Sequence, residues 1–562
     1  MAAHTAMPMN QYQALIEEKN TAIRIMASRS STVASVIRNA RIEPGRALAN
    51  RASTASENAI SVAVGTAQPC DISENGMLLP VVVAAIYREQ EGIYYLSVAL
   101  TGTVIGGLIV RKKPDESIFY LKEGCIATAL GWIMMSLYGC LPFVLTGEIP
   151  CFTDALFETV SGFTTTGASI LSDVEALSYC SLFWRSFTHW IGGMGVLVFL
   201  LTILPLSGGS HINLMRAESP GPSVGKLVPK VKHTARILYI IYLGMTVIEI
   251  LLLLLGDMPL FDALTTAFGT AGTGGFGIKN TSMMDYSPYL QWVVTIFMVL
   301  FGVNFNAYYL MLFGKFRRAF AMEEVRWYLI IIAFATGVIF LQILGSSAGV
   351  FDALTHSSFQ VASIITTTGF STIDFDLWPQ TSRTILVLLM FIGACAGSTG
   401  GGIKVSRCVV MVKTVAKELN SYIHPRSVRK IKLEGKPIDH EVLRSINVYF
   451  CTYLLIFCGS IFLLSLEGKD LVTNFTAVAA TFNNIGPGLE LVGPTRNFGG
   501  FSHFSKYVLI FDMLAGRLEL FPLLILFHPA VWKQALSKKV EEGQVHPLPQ
   551  DDFTTFWYDS KY

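Results

Sequence analysis

The sequence predicts an all-α polytopic membrane protein in which four repeated units of helix, half-helix and helix surround a central pore, after an auxiliary helical hairpin. Three observations support this prediction: the composition, a series of long apolar segments, and one local pattern that occurs four times. Of the 562 residues, 52% are hydrophobic and 15% are charged, and the mean hydropathy is +0.50. A soluble globular protein carries a more charged surface, so the bilayer must be the solvent of this chain.

Nine apolar segments are long enough to cross a bilayer as helices, which takes roughly 20 mainly apolar residues each. Helices are predicted because backbone groups in hydrocarbon must pair within their own segment, and no long alternating strand pattern occurs. The segments lie near residues 93–110, 121–146, 183–206, 237–256, 290–313, 327–345, 383–399, 446–466 and 505–528. A tenth, near 76–88, is too short for a full span.

The charge of the loops predicts which side faces the cytoplasm, because Lys and Arg accumulate in cytoplasmic loops. Residues 404–445 contain ten Lys or Arg residues against four acids, whereas Asp173, Asp285 and Asp374 lie in the alternate loops. Residues 1–70 are polar and lack the apolar core of a secretory signal, so they are predicted to be a cytoplasmic N-terminal extension.

The apolar segments and loops predict the following organisation. After the extension, an auxiliary hairpin with a shortened first helix occupies 71–115. The pore repeats occupy 116–210, 236–318, 326–415 and 445–530, and a cytoplasmic tail occupies 531–562.

One pattern occurs in all four repeats: an apolar span, a short amphipathic stretch, a Thr/Gly or Asn/Gly loop, and a second span. The amphipathic stretches begin near Phe152, Leu260, Leu354 and Leu471, and aligning their loops superposes Gly167, Gly275, Gly369 and Gly486. Asp154 and Asp262 each lie thirteen residues before the aligned glycine, while the third repeat has its Asp352 about one turn earlier. In the second repeat, Gly274 and Gly275 are adjacent, which leaves its register open by one residue.

Each amphipathic stretch has about twelve residues, too few to span, so it must enter the membrane, stop half-way and return as a loop. Loop backbone at that depth must be buried in protein or line water. Four such loops around one axis would form a ring of carbonyl groups able to replace the hydration shell of a monovalent cation. Ordinary turns could explain one such loop, but four in the same register favour the ring.

The third repeat contains a second unusual segment, from Gly393 to Gly402, whose glycines each cost a helix roughly 1 kcal/mol relative to alanine. A broken helix is predicted here, with its loop beneath the ring; a glycine-rich packing seam is the alternative. Arg517 lies within the last apolar segment, where a charge is expected to be functional or paired, Asp512 being the nearest partner. Arg185 and His189 are predicted to be paired residues between helices.

Two other classes of protein were compared with this pattern. A secondary transporter would fit the spans, but it typically has inverted repeats, whereas these four run in one direction. A transporter that couples ion movement to sodium or protons remains the alternative to a pore. An enzyme is not predicted, because the GxSxG segment from Gly345 to Gly349 ends an apolar span instead of joining a strand to a helix.

Seven motifs resemble one family, the Trk, Ktr and HKT potassium transporters, and most closely the TrkH family of bacterial Trk-system membrane subunits. The resemblance covers about residues 76 to 530. The motifs are SGFTTTGAS from Ser161, HWIGGMGVLVF from His189, TGGFG from Thr273, ITTTGFST from Ile365, GSTGGGIKVSR from Gly397, NNIGPGL from Asn483 and AGRLELF from Ala515.

This resemblance implies potassium uptake across the bacterial inner membrane, with the N-terminus in the cytoplasm, potassium as the transported ion and no organic cofactor. The implied selectivity filter, which binds potassium, consists of Thr165, Thr166, Gly167, Thr273, Gly274, Gly275, Thr367, Thr368, Gly369, Asn484, Ile485 and Gly486. The implied gate consists of Gly397, Ser398, Thr399, Gly400, Gly401, Gly402, Lys404 and Arg517, with Arg517 facing the pore below the filter.

The resemblance also implies partners. A homodimer of membrane subunits is expected, with a cytoplasmic nucleotide-binding TrkA-like regulatory subunit beneath it. The basic cytoplasmic loops are suited to such an acidic partner or to membrane lipid, although topology alone also explains their charge. No nucleic acid partner is expected.

Overall fold

The computed structural model describes residues 76–110, 121–193, 195, 231–426, 430–529 and 531. These residues belong to one unit, Ile60–Tyr562. They form helices and connecting loops, apart from an antiparallel β-hairpin of Lys432–Leu433 and Lys436–Pro437. The predicted helical class is therefore confirmed. The extension predicted at 1–70 lies outside the described residues, as does the tail predicted at 531–562 except for Val531.

A short helical hairpin precedes the repeats. Helix α1 (Leu78–Tyr87) has 10 residues and α2 (Gly92–Val110) has 19. In the turn between them, Glu89 accepts hydrogen bonds of 2.7 and 2.9 Å from the backbone N–H groups of Tyr179 and Cys180. The predicted short first helix is present, and its turn is joined to repeat 1.

The helices that follow are grouped by the four predicted repeats, and the first helix of each repeat is the longest of its described helices. Repeat 1 contains α3 (Leu121–Gly139), α4 (Leu141–Thr146), α5 (Phe152–Phe163) and α6 (Tyr179–Gly193). Repeat 2 contains α7 (Val231–Leu255), α8 (Leu260–Gly272), α9 (Pro288–Phe301), α10 (Phe305–Leu312) and α11 (Phe316–Phe320). Repeat 3 contains α12 (Glu323–Ile343), α13 (Val350–Ile365), α14 (Gln380–Ile392) and α15 (Val405–Ile423). Repeat 4 contains α16 (His440–Ser465), α17 (Leu471–Phe482), α18 (His503–Arg517) and α19 (Phe521–Leu524).

The opening segment of each predicted repeat is long and apolar enough to cross a bilayer alone. Within the described ranges, the segments that are long and apolar enough are Gly124–Thr146, Arg236–Leu255, Glu323–Ile343 and His440–Ser465. The most apolar windows of the last three are only 22%, 22% and 28% buried inside the protein. Such large exposed apolar faces are expected where helices contact lipid.

Helices α5, α8, α13 and α17, called the pore helices below, contain 12, 13, 16 and 12 residues. At 1.5 Å per residue they reach about 18–24 Å, less than the roughly 30 Å of a hydrocarbon core. Each ends at a Thr/Gly or Asn/Gly loop. The predicted half-helices are therefore present in all four repeats.

Acidic residues stabilise the starts of the pore helices. Asp154 pairs with Lys506 at 2.6 Å, and Asp262 accepts a hydrogen bond of 2.8 Å from the Tyr286 hydroxyl. In repeat 4, Asp470 caps α17 by accepting from the Thr473 N–H at 2.8 Å, and hydrogen bonding from Thr473 lowers the pKa of the Asp470 carboxyl. A negative charge at a helix N-terminus interacts favourably with the helix dipole, so each of these acids is suited to its position at the start of a helix.

The closing helices of repeats 2, 3 and 4 are interrupted. Helices α9 and α10 meet at 90° across residues 302–304. In repeat 3, α14 ends at Ile392 and α15 begins at Val405, which confirms the predicted break. In repeat 4, α18 ends at Arg517 and the chain turns at Leu520, whose φ is 68°. The apolar segments at 290–313 and 505–528 are thus not single straight helices, because hydropathy does not register a backbone turn.

Candidate functional site

The loops after the four pore helices share one backbone conformation. Two places before the aligned glycine, Thr165, Thr273, Thr367 and Asn484 have φ values of 54°, 54°, 60° and 55°. The aligned glycines themselves, called the ring glycines below, are Gly167, Gly275, Gly369 and Gly486, with φ values of 78°, 71°, 87° and 102°. Glycine enters this left-handed region without the strain of a Cβ atom. The agreement resolves the register of repeat 2 in favour of Gly275.

The four loops close on one another as a ring. A Cβ atom on Gly167 would overlap the carbonyl oxygen of Gly274, one on Gly275 that of Thr368, and one on Gly369 that of Ile485. On Gly486 it would lie 2.8 Å from the carbonyl oxygen of Thr166, which returns the contact to repeat 1. Each ring glycine therefore touches the carbonyl just before the ring glycine of the next repeat. We call these carbonyls, of Thr166, Gly274, Thr368 and Ile485, the ring carbonyls.

The ring is neutral and partly accessible. None of the twelve predicted filter residues is ionisable. Gly167, Gly275 and Gly369 are partly exposed, whereas the side chains of the other predicted filter residues are at most 1% exposed. A ring of this kind offers carbonyl dipoles without a full charge, which is the chemistry that suits a dehydrated monovalent cation.

Buried side chains lock the loops of repeats 1, 3 and 4. The Thr164 and Thr166 hydroxyls lie 2.8 Å apart, and Thr366 and Thr368 repeat this pair at 2.8 Å. The Asn484 amide donates to the Thr166 hydroxyl at 3.0 Å and to the Met513 carbonyl at 2.9 Å. Repeat 4 is thereby tied to repeat 1 through side chains as well as through the ring glycine.

His189 takes this role between repeats 1 and 2. Its Nδ1 lies 2.8 Å from the Gly162 carbonyl, and its Nε2 accepts from the Phe276 N–H at 3.3 Å. A Cβ atom on Gly274 would overlap the imidazole ring. His189 is therefore a packing residue, as predicted, and it packs between the loops of repeats 1 and 2.

A buried ion pair supports the same two loops. Arg185 pairs with Glu158 at 2.7 Å, and both side chains are at most 2% exposed. Glu158 also accepts from the Ser169 hydroxyl at 2.9 Å and the Ile170 N–H at 3.0 Å, and Arg185 lies 4.2 Å over the Phe276 ring. The predicted pairing of Arg185 is present. Sequence reasoning missed Glu158, although an acid in the middle of a pore helix was the available signal.

The chain between α14 and α15, residues 393–404, packs against the loops that follow α13 and α17, which are called filter loops below after the filter predicted from the sequence. It contains most of the residues of the predicted gate and is called the gate loop below for that reason. The Gly401 N–H donates to the Thr367 hydroxyl at 2.6 Å, and the Gly402 N–H donates to the Asn483 carbonyl at 3.1 Å. A Cβ atom on Gly400 would lie 2.8 Å from the Thr366 carbonyl oxygen. The gate loop therefore lies against the loops of repeats 3 and 4 at the end nearer their pore helices, and its glycines permit that approach.

Arg517 joins the gate loop to repeat 1. Its guanidinium donates to the carbonyls of Thr399 and Gly193, each at 3.0 Å, and to that of Gly192. The alternative partner, Asp512, instead accepts from the Ser460 hydroxyl at 2.7 Å. The pairing considered from sequence is thus replaced by backbone carbonyls.

Two basic residues, Lys404 and Arg407, lie where the gate loop ends and α15 begins. Lys404 is 3% exposed, and its ammonium group donates to the Gly400 carbonyl. Arg407 pairs with Glu519 and lies 4.1 Å over the Tyr449 ring. Lys404 therefore closes the end of the loop on itself, whereas Arg407 holds the start of α15 against repeat 4.

Comparison with known proteins gives consistent matches over most of the chain. A family model described as "TrkH: Cation transport protein" matches residues 97–535. The Trk system potassium uptake protein TrkH of Salmonella typhimurium is 35% identical over 468 residues, covering 82% of this chain and 96% of the relative. Trk system potassium uptake protein TrkG of Escherichia coli is 34% identical over 466 residues, covering 81% and 95%. The crystal structure of the potassium transporter TrkH from Vibrio parahaemolyticus matches with a TM-score of 0.76 at 32% identity, covering 84% of this chain and 99% of that one.

Proposed function

Because the chain belongs to the TrkH family of cation transport proteins, we propose that it takes up potassium ions across the bacterial inner membrane through the ring of four loops. The observation that carries this proposal is the closed circuit of contacts between ring glycines and ring carbonyls. A circuit of four neutral loops at the ends of four half-helices is an arrangement suited to a permeating cation. The basic loops support a cytoplasmic position for the N-terminus, because Lys and Arg accumulate on that side of the membrane.

At the filter, the ring carbonyls would replace part of the hydration shell of potassium. The pore helices would add to this, because the C-terminal end of a helix carries a partial negative charge and all four helices end at the ring. Threonine hydroxyls next to the ring are held by the pairs Thr164–Thr166 and Thr366–Thr368. They would fix the carbonyl positions without adding charge.

Below the filter, the gate loop and Arg517 would restrict flow. The loop contacts filter repeats 3 and 4, and Arg517 extends the barrier to repeat 1. A guanidinium beside an ion path opposes cations electrostatically as well as by its volume. Opening would require the loop to leave the Thr367 hydroxyl and the Asn483 carbonyl.

Flux through purified protein tests this function. We expect proteoliposomes containing the chain to pass potassium in preference to sodium, with a reversal potential that follows the potassium gradient. The reversal potential should not depend on a proton gradient, and potassium flux should not require sodium. A requirement for either gradient would support the alternative, an ion-coupled secondary transporter, and the absence of potassium flux under every gradient would contradict the proposal.

Regulation by partner subunits is proposed from the same family membership. We expect a homodimer and a nucleotide-binding TrkA-like subunit on the basic face that includes Lys413, Lys432 and Lys436, where membrane lipid is the competing partner. In the same flux assay, nucleotide should change the flux only when such a subunit is added. A chain that purifies alone and responds to no added regulator would count against this partner.

A further inference from the structure

One buried carboxylate contacts the gate loop and has no place in the function proposed so far. Glu324 lies in the first turn of α12, at the start of repeat 3, and is 5% exposed. No ion pair to Glu324 occurs among the residues that the structure describes. A buried carboxylate is costly unless hydrogen bonds satisfy it, so its partners must account for its presence.

Glu324 binds both ends of the gate loop with one oxygen. Its Oε1 accepts from the Ala396 N–H at 2.6 Å, near the start of the loop. The same oxygen accepts from the Ser406 N–H at 3.2 Å, in the first turn of α15, just after the loop ends. One carboxylate oxygen therefore fixes the distance between two points that the broken helix would otherwise leave free.

The second carboxylate oxygen of Glu324 joins the gate loop to the bend between α9 and α10 in repeat 2. Oε2 accepts from the side-chain amide of Asn304 at 3.2 Å. The orientation of that amide is set, because the Asn304 Oδ1 accepts from the Asn306 N–H at 3.0 Å as the cap of α10. The bend also contacts the gate loop directly. The Cys395 N–H donates to the Gly302 carbonyl at 3.1 Å, and the Phe305 N–H donates to the Gly397 carbonyl at 3.0 Å.

The turn that carries Glu324 is itself anchored. Its neighbour Glu323 pairs with Lys413 on α15 at 2.5 Å and accepts from the Glu434 N–H at 3.3 Å. Lys413 also donates to the Lys432 carbonyl in the β-hairpin at 2.8 Å. The Glu324 side chain therefore extends from a fixed point, which is what a positioning residue requires.

We infer that Glu324 is a positioning residue that latches the gate loop in its closed position by joining Ala396 and Ser406 to the bend at Asn304. The inference rests on the proposed function for its effect on flux, but not for its effect on the loop. Release of the latch leaves both ends of the loop free to separate. The gate then opens more often, while the ring glycines and ring carbonyls stay as they are.

Two substitutions test the latch at different strengths. Glu324→Ala removes all three hydrogen bonds. Glu324→Gln keeps the shape and one acceptor, but its NH2 group faces either Asn304 or the two backbone N–H donors, so at least one contact becomes donor against donor. Glu467→Gln is the matched control, because Glu467 also accepts three hydrogen bonds, from Ser502 and Ser505, and lies at the opposite end of α16 from the β-hairpin.

A cysteine that the gate loop already contains reports whether the loop opens. Cys395 is buried at 0% exposure and free, so its alkylation by N-ethylmaleimide, followed by mass spectrometry, reports opening of the loop. We expect Glu324→Gln to raise both the alkylation rate and the potassium flux by about tenfold, Glu324→Ala by more, and Glu467→Gln to change neither. The potassium to sodium permeability ratio should remain that of the unmodified chain.

The outcomes separate this inference from the proposed function. Faster alkylation without any potassium flux in the parent chain would keep the latch and reject the transport proposal. Unchanged alkylation in folded Glu324→Gln protein would overturn the latch, and so would lower flux with intact selectivity, because Glu324 would then support the open state. If Glu324→Ala does not fold, Glu324→Gln alone decides.

Discussion

Replacing Gly369 by serine is expected to weaken the discrimination between potassium and sodium by about tenfold, a change of ~1.4 kcal/mol in relative ion binding. Gly369 has a φ of 87°, which a residue with a side chain adopts only at a cost of about 1–3 kcal/mol. The Cβ atom of a serine at this position would also overlap the Ile485 carbonyl oxygen and lie 3.0 Å from Pro487 Cδ. One ring carbonyl must therefore move, which alters the spacing on which selection among cations depends.

The measurement is the reversal potential under opposing potassium and sodium gradients. Gly337→Ser is the control, because a Cβ atom at that helical position meets nothing within 4 Å. It adds the same side chain to repeat 3 without touching the ring. A permeability ratio in Gly369→Ser equal to that of the control, in protein that folds, would mean that Gly369 does not belong to the filter.

Replacing Arg517 by alanine, or shortening the segment Gly400 to Gly402, is expected to raise potassium flux by about tenfold without changing selectivity. Arg517 donates to Thr399 on the gate loop and to Gly192 and Gly193 on α6, so alanine removes both the bridge and its positive charge. The shortened segment loses the contacts of Gly401 and Gly402 with the filter loops. Neither change alters a ring glycine.

Single-channel recording or isotope uptake measures this effect. Arg383→Ala serves as the control, because Arg383 is also an arginine with two close partners, Asp376 and Glu490, but it contacts neither the ring nor the gate loop in the described structure. Lower flux in both gate variants would reject the gate assignment. A changed permeability ratio would instead place Arg517 in the filter.

The repeats could be predicted from sequence because they rest on local patterns. Segments of fewer than twenty residues are enough to recognise the half-helix length, the apolar periodicity and the glycine of each loop. Glycine also occurs where the backbone of the structure has a positive φ, as at Gly167 and Gly486. Only the register of the second loop was open, and the φ of Thr273 resolves it.

The contacts between repeats could not be predicted, because they join residues far apart in the chain. Glu158 and Arg185 are 27 positions apart, and Ala396 lies 72 positions from Glu324. A single buried acid in an apolar segment shows that a partner is needed, but it does not identify the partner. The breaks at Asn304 and Leu520 were missed for a related reason, since their neighbours are apolar enough to continue a helix.

The central claim is that the four loops form one ion-binding ring, and the location of a bound ion tests it most directly. Crystals grown in a rubidium salt would show the ion by its anomalous scattering. The account predicts a peak on the axis between the carbonyls of Thr166, Gly274, Thr368 and Ile485, lost or displaced in Gly369→Ser. A ring without a peak, in crystals where rubidium is bound elsewhere along the pore, would contradict it.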